Sequence, residues 1–361
     1  APRLNRRDFL VAGAAACLPP AAFAQSGEIP ALRDLGAAVG IEVGSAFSLD
    51  PDPKYRALVA KHCAVITPEW QMKPPRIKPN AESDYDFSVV DEFVRFTEAH
   101  GQKLHGHTLY WSYEPIEWAI GADFEETKRR YGLYIATVME RYPQIESWDV
   151  ANELIDDETF RLRTDYLVGR YGLDFLDFCF HAAHQMSPHA KLAINDYWIE
   201  CATAVCANKR QGVLDLLRQL KERGTPIHAL GIQSHLYSKL PIAPEETLEL
   251  VEAAAALGLE VWISELDVND TQFPQDVAER DALVADVYAR YLKALLPHPA
   301  VKRLCFWGIS DYDNWIARGE PKWERRPFWA GVARPALFDA NNEPKPAFFA
   351  VADALRNAPK R

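Results

Sequence analysis

The chain has 361 residues, 48% hydrophobic and 25% charged, which supports a buried core and one large domain or two of average size. Its formal charge of −11, with no basic stripe to neutralise phosphates, argues against nucleic acid and an anionic membrane and leaves a neutral partner. Aromatic residues reach 11%, with 10 Trp, which suits either a large core or a cleft that stacks the apolar faces of sugar rings.

The chain opens on Arg6-Arg7-Asp8-Phe9-Leu10, followed by an apolar run to Leu18, Pro19-Pro20 and Ala22-Phe23-Ala24. A basic start, an apolar stretch too short to cross a bilayer and an Ala-x-Ala end predict an export signal over residues 1–24. Its paired arginines suit the twin-arginine route. The expected destination is the periplasm or the medium, with no membrane attachment after cleavage. Beyond the signal lie Cys63, Cys179, Cys201, Cys206 and Cys305. The short spacing of Cys201 and Cys206 permits a disulfide, although buried small hydrophobes are an equally available role.

Short apolar strands then alternate with amphipathic stretches. The expected strands are Val39–Ala46, Ala64–Thr67, Lys103–Thr108, Ser147–Asn152, Leu192–Asn195, Ala229–Ser234, Val261–Ser264 and Arg303–Trp307. Helical patterns cover Val89–His100, Glu126–Arg141, Leu173–Gln185, Gly212–Arg223, Pro244–Leu257 and Ala278–Leu296, several stopping before a glycine (Gly101, Gly224, Gly258). Eight strand-then-helix units without a linker predict a single-domain α/β protein over residues 25–361, a (β/α)8 TIM barrel. An open doubly wound sheet that binds dinucleotides would carry an early Gly-x-Gly-x-x-Gly, which is absent.

Barrel chemistry gathers at strand C-termini. Here the ends are polar: Thr67-Pro68-Glu69, His107-Thr108, Asn152-Glu153, Asn195-Asp196, Gln233-Ser234-His235, Glu265-Leu266-Asp267 and Trp307. Glu153 and Glu265 directly follow the apolar runs Trp148-Asp149-Val150 and Val261-Trp262-Ile263, a setting surface glutamates rarely have. Glycosidic bond cleavage needs such a pair, one to protonate the leaving oxygen and one to attack the anomeric carbon or activate water. Strands four and seven face one another across the barrel mouth, which suits the separation of about 5–5.5 Å that gives retention.

The runs Val65–Lys73, Gly106–Trp111, Trp148–Glu153, Ile194–Tyr197, Gly231–Leu236, Ser264–Asp267, Phe306–Gly308, Arg334–Asp339 and Pro344–Ala347 occur in order. Over about residues 30–357 the chain resembles glycoside hydrolase family 10, a group of retaining endo-β-1,4-xylanases. The resemblance implies a substrate of xylan or xylo-oligosaccharide, no cofactor, no metal and a chain that acts as a monomer. It implies Glu153 as acid/base and Glu265 as nucleophile. Asn152 would bond the sugar 2-hydroxyl, and His235 would bond the nucleophile and be oriented by Asp267, with Gln233 beside the acid/base. Glu69, Lys73, His107 and Trp111 would bind sugars on the non-reducing side, with Trp307 and Trp315 as aromatic walls there, and Trp70, Asn195, Tyr197 and Trp198 would also contact substrate.

The chain departs from the family pattern at Trp70 and Trp198, each in place of Asn, and at Ser112 in place of His. A long eighth loop, Ala317 to Ala333, adds Trp323, Arg325, Arg326 and Trp329. Two outcomes are open: drift at the rim of an ordinary xylanase, or a remodelled cleft for short, decorated or other β-glycosides. Two other classes compete. His105-Gly106-His107 is a His-x-His at a strand end, which a metal-dependent barrel hydrolase would use, although such enzymes carry it on the first strand. A non-catalytic sugar-binding barrel is expected to lack at least one of the catalytic carboxylates or their supports.

Overall fold

The computed structural model describes residues 29–114, 116–164, 166–238, 240–318 and 333–361. The export signal and the loop residues Trp323, Arg325, Arg326 and Trp329 lie outside the described residues.

The strands are β1 (Glu42–Phe47), β2 (Val65–Pro68), β3 (Lys103–Leu104), β4 (Gly106–Trp111), β5 (Ser147–Asn152), β6 (Lys191–Asp196), β7 (Ala229–Ile232), β8 (His235–Tyr237), β9 (Glu260–Asn269) and β10 (Val301–Phe306). All pairings are parallel, in the order β3-β2-β1-β10-β9-β7-β6-β5-β4, with β8 also on β9. β3 pairs with β2 and β4 with β5, and only His105 separates β3 from β4, so this third barrel strand closes the sheet on itself. The result is the (β/α)8 barrel, its strands buried almost throughout.

Helices cover the outside. Asp52, Asp123, Thr203 and Asp276 each cap a first turn through a side-chain oxygen. Helices stop at Gly40, Gly101, Gly224 and Gly258, whose φ of 77°, 59°, 80° and 77° suits a residue without Cβ. Val39, expected to begin the first strand, instead ends the helix Leu32–Val39, whose left-handed cap is Gly40. The helix Ala204–Glu222 starts well before Gly212 because Thr203 caps it. The helices Leu32–Val39, Pro53–His62, Tyr166–Tyr171 and Pro346–Asn357 escaped the sequence reading.

Between helices and barrel, Tyr110, Tyr131, Tyr134 and Phe175 form a buried aromatic cluster with ring centroids 5.1–6.2 Å apart. The Tyr131 hydroxyl donates to the Leu109 carbonyl at 2.7 Å, tying its helix to β4. Inside the barrel, Ala193 and Ala229 leave room for Trp262. Arg303 lies over the Trp262 ring at 4.4 Å and holds Glu42 at 2.7 Å. Above them, His105 Nε2 and His107 Nδ1 both contact Asp149 Oδ2, at 3.0 and 2.8 Å. This column carries polar contacts from the barrel floor up to the level of the cleft.

Candidate active site

The rim positions converge. β5 delivers Asn152 and then Glu153, whose φ of 59° turns the chain out of the strand. A non-glycine residue in that region is strained, and strain of this kind concentrates at functional sites. Three hydrogen bonds hold the turn: the Glu153 N–H donates to the Asn195 carbonyl at 2.8 Å, Arg163 Nε donates to the Glu153 carbonyl at 2.8 Å, and the Arg163 N–H donates to the Leu154 carbonyl. The side chain accepts at both oxygens, Oε2 from the Trp111 indole N–H at 2.6 Å and Oε1 from Gln233 Nε2 at 3.0 Å.

Glu265 is held differently. It lies within β9 rather than beyond its end, because β9 runs on to pair with β8, opposing Asp267 to His235. It is buried, and accepts from Asn195 Nδ2 at 2.6 Å and from His235 Nε2 at 3.1 Å. His235 Nδ1 faces Asp267 Oδ1 at 3.0 Å, and Trp315 Nε1 donates to Asp267 Oδ2 at 2.6 Å. Burial opposes charge on His235, but the carboxylates of Asp267 and Glu265 outweigh it and push its pKa well above the usual value. The imidazole is therefore a cation, donating from both nitrogens, and Glu265 faces its positive charge.

Amides join the two carboxylates. Asn195 Nδ2 donates both to Glu265 and to Asn152 Oδ1, at 2.6 and 2.9 Å, and its Oδ1 accepts from Ser264 Oγ at 2.6 Å. Gln233 Nε2 reaches Glu153 Oε1 and, at 3.5 Å, Asn152 Oδ1. Amide N–H groups do not exchange protons readily, so this bridge fixes geometry without equalising the protonation of the two acids. Asn195, expected at the substrate, is fully buried with both amide ends engaged inside the protein. Its amide meets Glu265, Asn152 and Ser264. Asn152 Oδ1 thus accepts from both the Asn195 and the Gln233 amides.

On the other side of the cleft, Lys73 Nζ lies over the rings of Trp70 and Trp111 at 4.0 and 3.7 Å. Trp70 and Trp111 meet edge-on at 5.9 Å. Burial lowers the Lys73 pKa, and Glu153, Glu265, Glu114 and Glu69 offset only part of the shift. Glu69 is buried and its pKa is raised by burial, opposed by Arg318, whose Nη2 donates to Oε1 at 2.5 Å. Arg318 also pairs with Asp313. Neither Arg318 nor Glu114 was singled out in the sequence; Arg318 lies in the eighth loop, where no pattern marks it.

His107 meets Trp307 edge-on at 5.4 Å, and its Nδ1 contacts Asp149 Oδ2 at 2.8 Å. Trp307 and Trp315 both stand against His235, at 6.4 and 5.1 Å. Tyr197 donates to Asp157 at 2.6 Å, and Trp198 lies edge-on to it at 5.5 Å. Ser112 is buried. Both imidazoles of the His-x-His pair are committed to Asp149, and among the described residues no three His, Cys, Asp or Glu side chains gather in a metal-holding group. Cys201 and Cys206 form a disulfide, while Cys63, Cys179 and Cys305 are free and buried.

A sequence model described as glycosyl hydrolase family 10 matches residues 31–354. The chain belongs to that family. It is a glycoside hydrolase, on the barrel that its relatives share. A β-1,4-xylanase of Dictyoglomus thermophilum is 32% identical over 340 residues, covering 90% of this chain and 91% of the relative. Exoglucanase XynX of Acetivibrio thermocellus is 30% identical over 341 residues, 89% of this chain, and the chain spans only 29% of that longer relative. Among solved structures, xylanase 10B of Thermotoga petrophila in complex with xylobiose superposes with a TM-score of 0.79 at 28% identity, covering 91% of this chain and 98% of that one.

Proposed function

We propose that the protein is an endo-β-1,4-xylanase that hydrolyses internal bonds of xylan with retention of configuration. The observation that carries this reading is the unequal treatment of two glutamates at one rim. Glu265 is buried against His235 and the Asn195 amide, the surroundings of a carboxylate held in place to attack. Glu153 is partly exposed and held by N–H donors alone, free to pass a proton to a leaving group and later accept one from water.

In the first step a Glu265 oxygen forms a bond to the anomeric carbon as the glycosidic C–O bond breaks, and the Glu153 proton moves to the departing oxygen. In the second, water attacks that carbon, its proton goes to Glu153, and Glu265 leaves as carboxylate. Asn152 donates to the 2-hydroxyl, a contact that strengthens as charge develops. His235 and Asp267 hold the nucleophile throughout. Xylan or a xylo-oligosaccharide is the proposed substrate, in keeping with the β-1,4-xylanase relative and with the relative solved with xylobiose.

The test is Glu153→Ala. Turnover of xylan should fall by about 10²–10⁴ while a β-xylobioside with a strongly acidic leaving phenol is largely spared. Equal loss on both substrates would remove the acid/base assignment.

A second reading, a cleft remodelled toward short or decorated xylo-oligosaccharides or other β-glycosides, is favoured by one arrangement. Lys73 over two indoles and Arg318 on Glu69 bring two cations to the Trp70–Trp111 part of the site. Rates on xylan, xylo-oligosaccharides and cello-oligosaccharides separate the two, and preference for long unbranched xylan would dispose of the second. We further propose that the chain is exported, as its opening residues suggest and as a disulfide at Cys201–Cys206 would suit, and that it acts as a monomer. Cell fractionation with Arg6 and Arg7 both changed to Lys tests the export route.

A further inference from the structure

Tyr113 is half exposed and belongs to none of the contacts that hold Glu153 or Glu265. It lies two residues beyond Trp111, the indole that donates to Glu153, and the two rings meet edge-on at 5.8 Å. Beneath Tyr113 sits the guanidinium of Arg163, 4.6 Å from the ring centroid. That guanidinium is the one whose Nε holds the Glu153 carbonyl and whose Nη2 donates to the Tyr197 hydroxyl at 3.0 Å. Tyr197 gives its own proton to Asp157 Oδ2 at 2.6 Å, so in the 2.9 Å contact between the two phenols Tyr113 is the donor. Asp157 is held in turn by Lys209, a fully buried ammonium that also pairs with Asp196 and lies 3.4 Å from the Tyr197 ring centroid.

The ring is thus fixed at three places: a cation under one face, an edge contact with Trp111 and a hydroxyl anchored to Tyr197. Exposed tyrosines used only for solubility need none of these. A tyrosine pinned at both ends with a large part of its surface bare is pre-organised to receive a flat apolar partner without loss of side-chain freedom. Its position says which partner. It shares Arg163 with the backbone of Glu153 and shares the β4 end with the donor to the Glu153 carboxylate. The supports of Glu265 (Asn195, His235, Asp267 and Trp315) make no contact with it. Glu153 protonates the leaving oxygen, so Tyr113 lies on the leaving-group side.

We infer that Tyr113 is the aromatic floor of a leaving-group subsite and selects substrates whose departing portion presents the C–H face of a β-linked xylopyranose ring. This inference rests on the xylanase reading and adds a specificity-determining residue to it. Xylose has no hydroxymethyl branch, so its ring lies flat on an aromatic face.

The test compares the parent, Tyr113→Ala and Tyr113→Phe on two substrates. Xylopentaose places sugar on the leaving side, whereas β-xylobiosyl fluoride has a leaving group too small to reach Tyr113. Tyr113→Ala should lower kcat/KM on xylopentaose roughly tenfold, through KM more than kcat, and leave the fluoride within about twofold. Tyr113→Phe, which keeps the ring, should stay near the parent on both. Unchanged xylopentaose kinetics in Tyr113→Ala, equal loss on the two substrates, or a loss in Tyr113→Phe as large as in Tyr113→Ala would each overturn the inference. A parent that turns over neither substrate would remove the xylanase reading itself, and this inference with it.

Discussion

At the scale of single residues, charge decides the site. His235 sits between Glu265 and Asp267, and the two carboxylates keep it protonated against the penalty of burial. Its pKa is raised in the folded state, so its contribution to stability is complete below the ordinary histidine value and fades as pH rises through the folded value. Asp267→Asn removes one of the two charges and should draw the His235 pKa down. The alkaline limb of kcat/KM should then move to lower pH, and an unmoved limb would detach His235 from the activity. Glu200 also makes stability fall as pH rises, but through the cost of burying its charged form. It is buried with one oxygen on the Ile199 N–H and the other without a partner, and burial raises its pKa to about 7. A carboxyl that binds its proton more tightly when folded costs stability as pH rises from its ordinary value through about 7. Glu200→Gln should therefore stabilise the protein above pH 7 by up to about 3 kcal/mol, with the gain shrinking toward zero below pH 5. Urea titrations at pH 5 and 8 read this directly, and an equal effect at both would contradict it.

At the scale of elements, the strands were legible more evenly than the helices. Ser147–Asn152 and its neighbours announce themselves as short apolar runs ending on polar residues, because a parallel barrel buries both faces of each strand. The helix Pro53–His62 has little amphipathic contrast to betray it, since its ends are set by Asp52, Pro53 and a few buried contacts. The start of Ala204–Glu222 is hidden by the polar run Asn208-Lys209-Arg210-Gln211, which reads as solvent-facing. Lys209 is nevertheless fully buried, paired with Asp157 beyond β5 and with Asp196 at the end of β6. Pairing between segments far apart in the chain is what sequence patterns cannot carry, and it also hid Arg163, Arg318 and the inward contacts of Asn195. Close approach is another such constraint. A Cβ at Gly106 would lie 2.0 Å from Cε3 of Trp148 on the adjacent β5. Gly106→Ala should destabilise the protein by about 3 kcal/mol, because the indole has no room to withdraw in a close-packed interior. A midpoint of denaturation unchanged from the parent would show that β4 and β5 can part there.

At the scale of the whole molecule, the barrel is completed by late chain elements. Lys345 Nζ reaches Asp311 Oδ2 at 2.8 Å and the Arg334 carbonyl at 2.7 Å, while Asp311 Oδ1 accepts from the Ala336 N–H at 2.9 Å. Arg334 in turn grips Asp281 with two parallel bonds, 2.8 and 2.7 Å. This buried set ties the segment after β10 to the helix Val277–Leu295 and to the C-terminal helix Pro346–Asn357. Lys345→Met leaves Asp311 buried without its cation and should cost about 3–5 kcal/mol, read as a lowered urea midpoint with an unchanged slope. No loss would mean that water replaces the ammonium. The same frame carries Trp315, and through it Asp267, His235 and Glu265, so the closing turn of the fold and the nucleophile share one set of contacts.

In the proposed mechanism Glu265 attacks the anomeric carbon and Glu153 serves first as acid and then as base. Proton NMR of the products as xylopentaose is cleaved tests it most directly, because configuration at the new reducing end records how many displacements occurred. The β-anomer should appear first, from internal cleavage, and drift to the α/β equilibrium only as the sugar mutarotates. Initial release of the α-anomer would contradict it, since a single displacement by water leaves Glu265 as a base rather than a nucleophile.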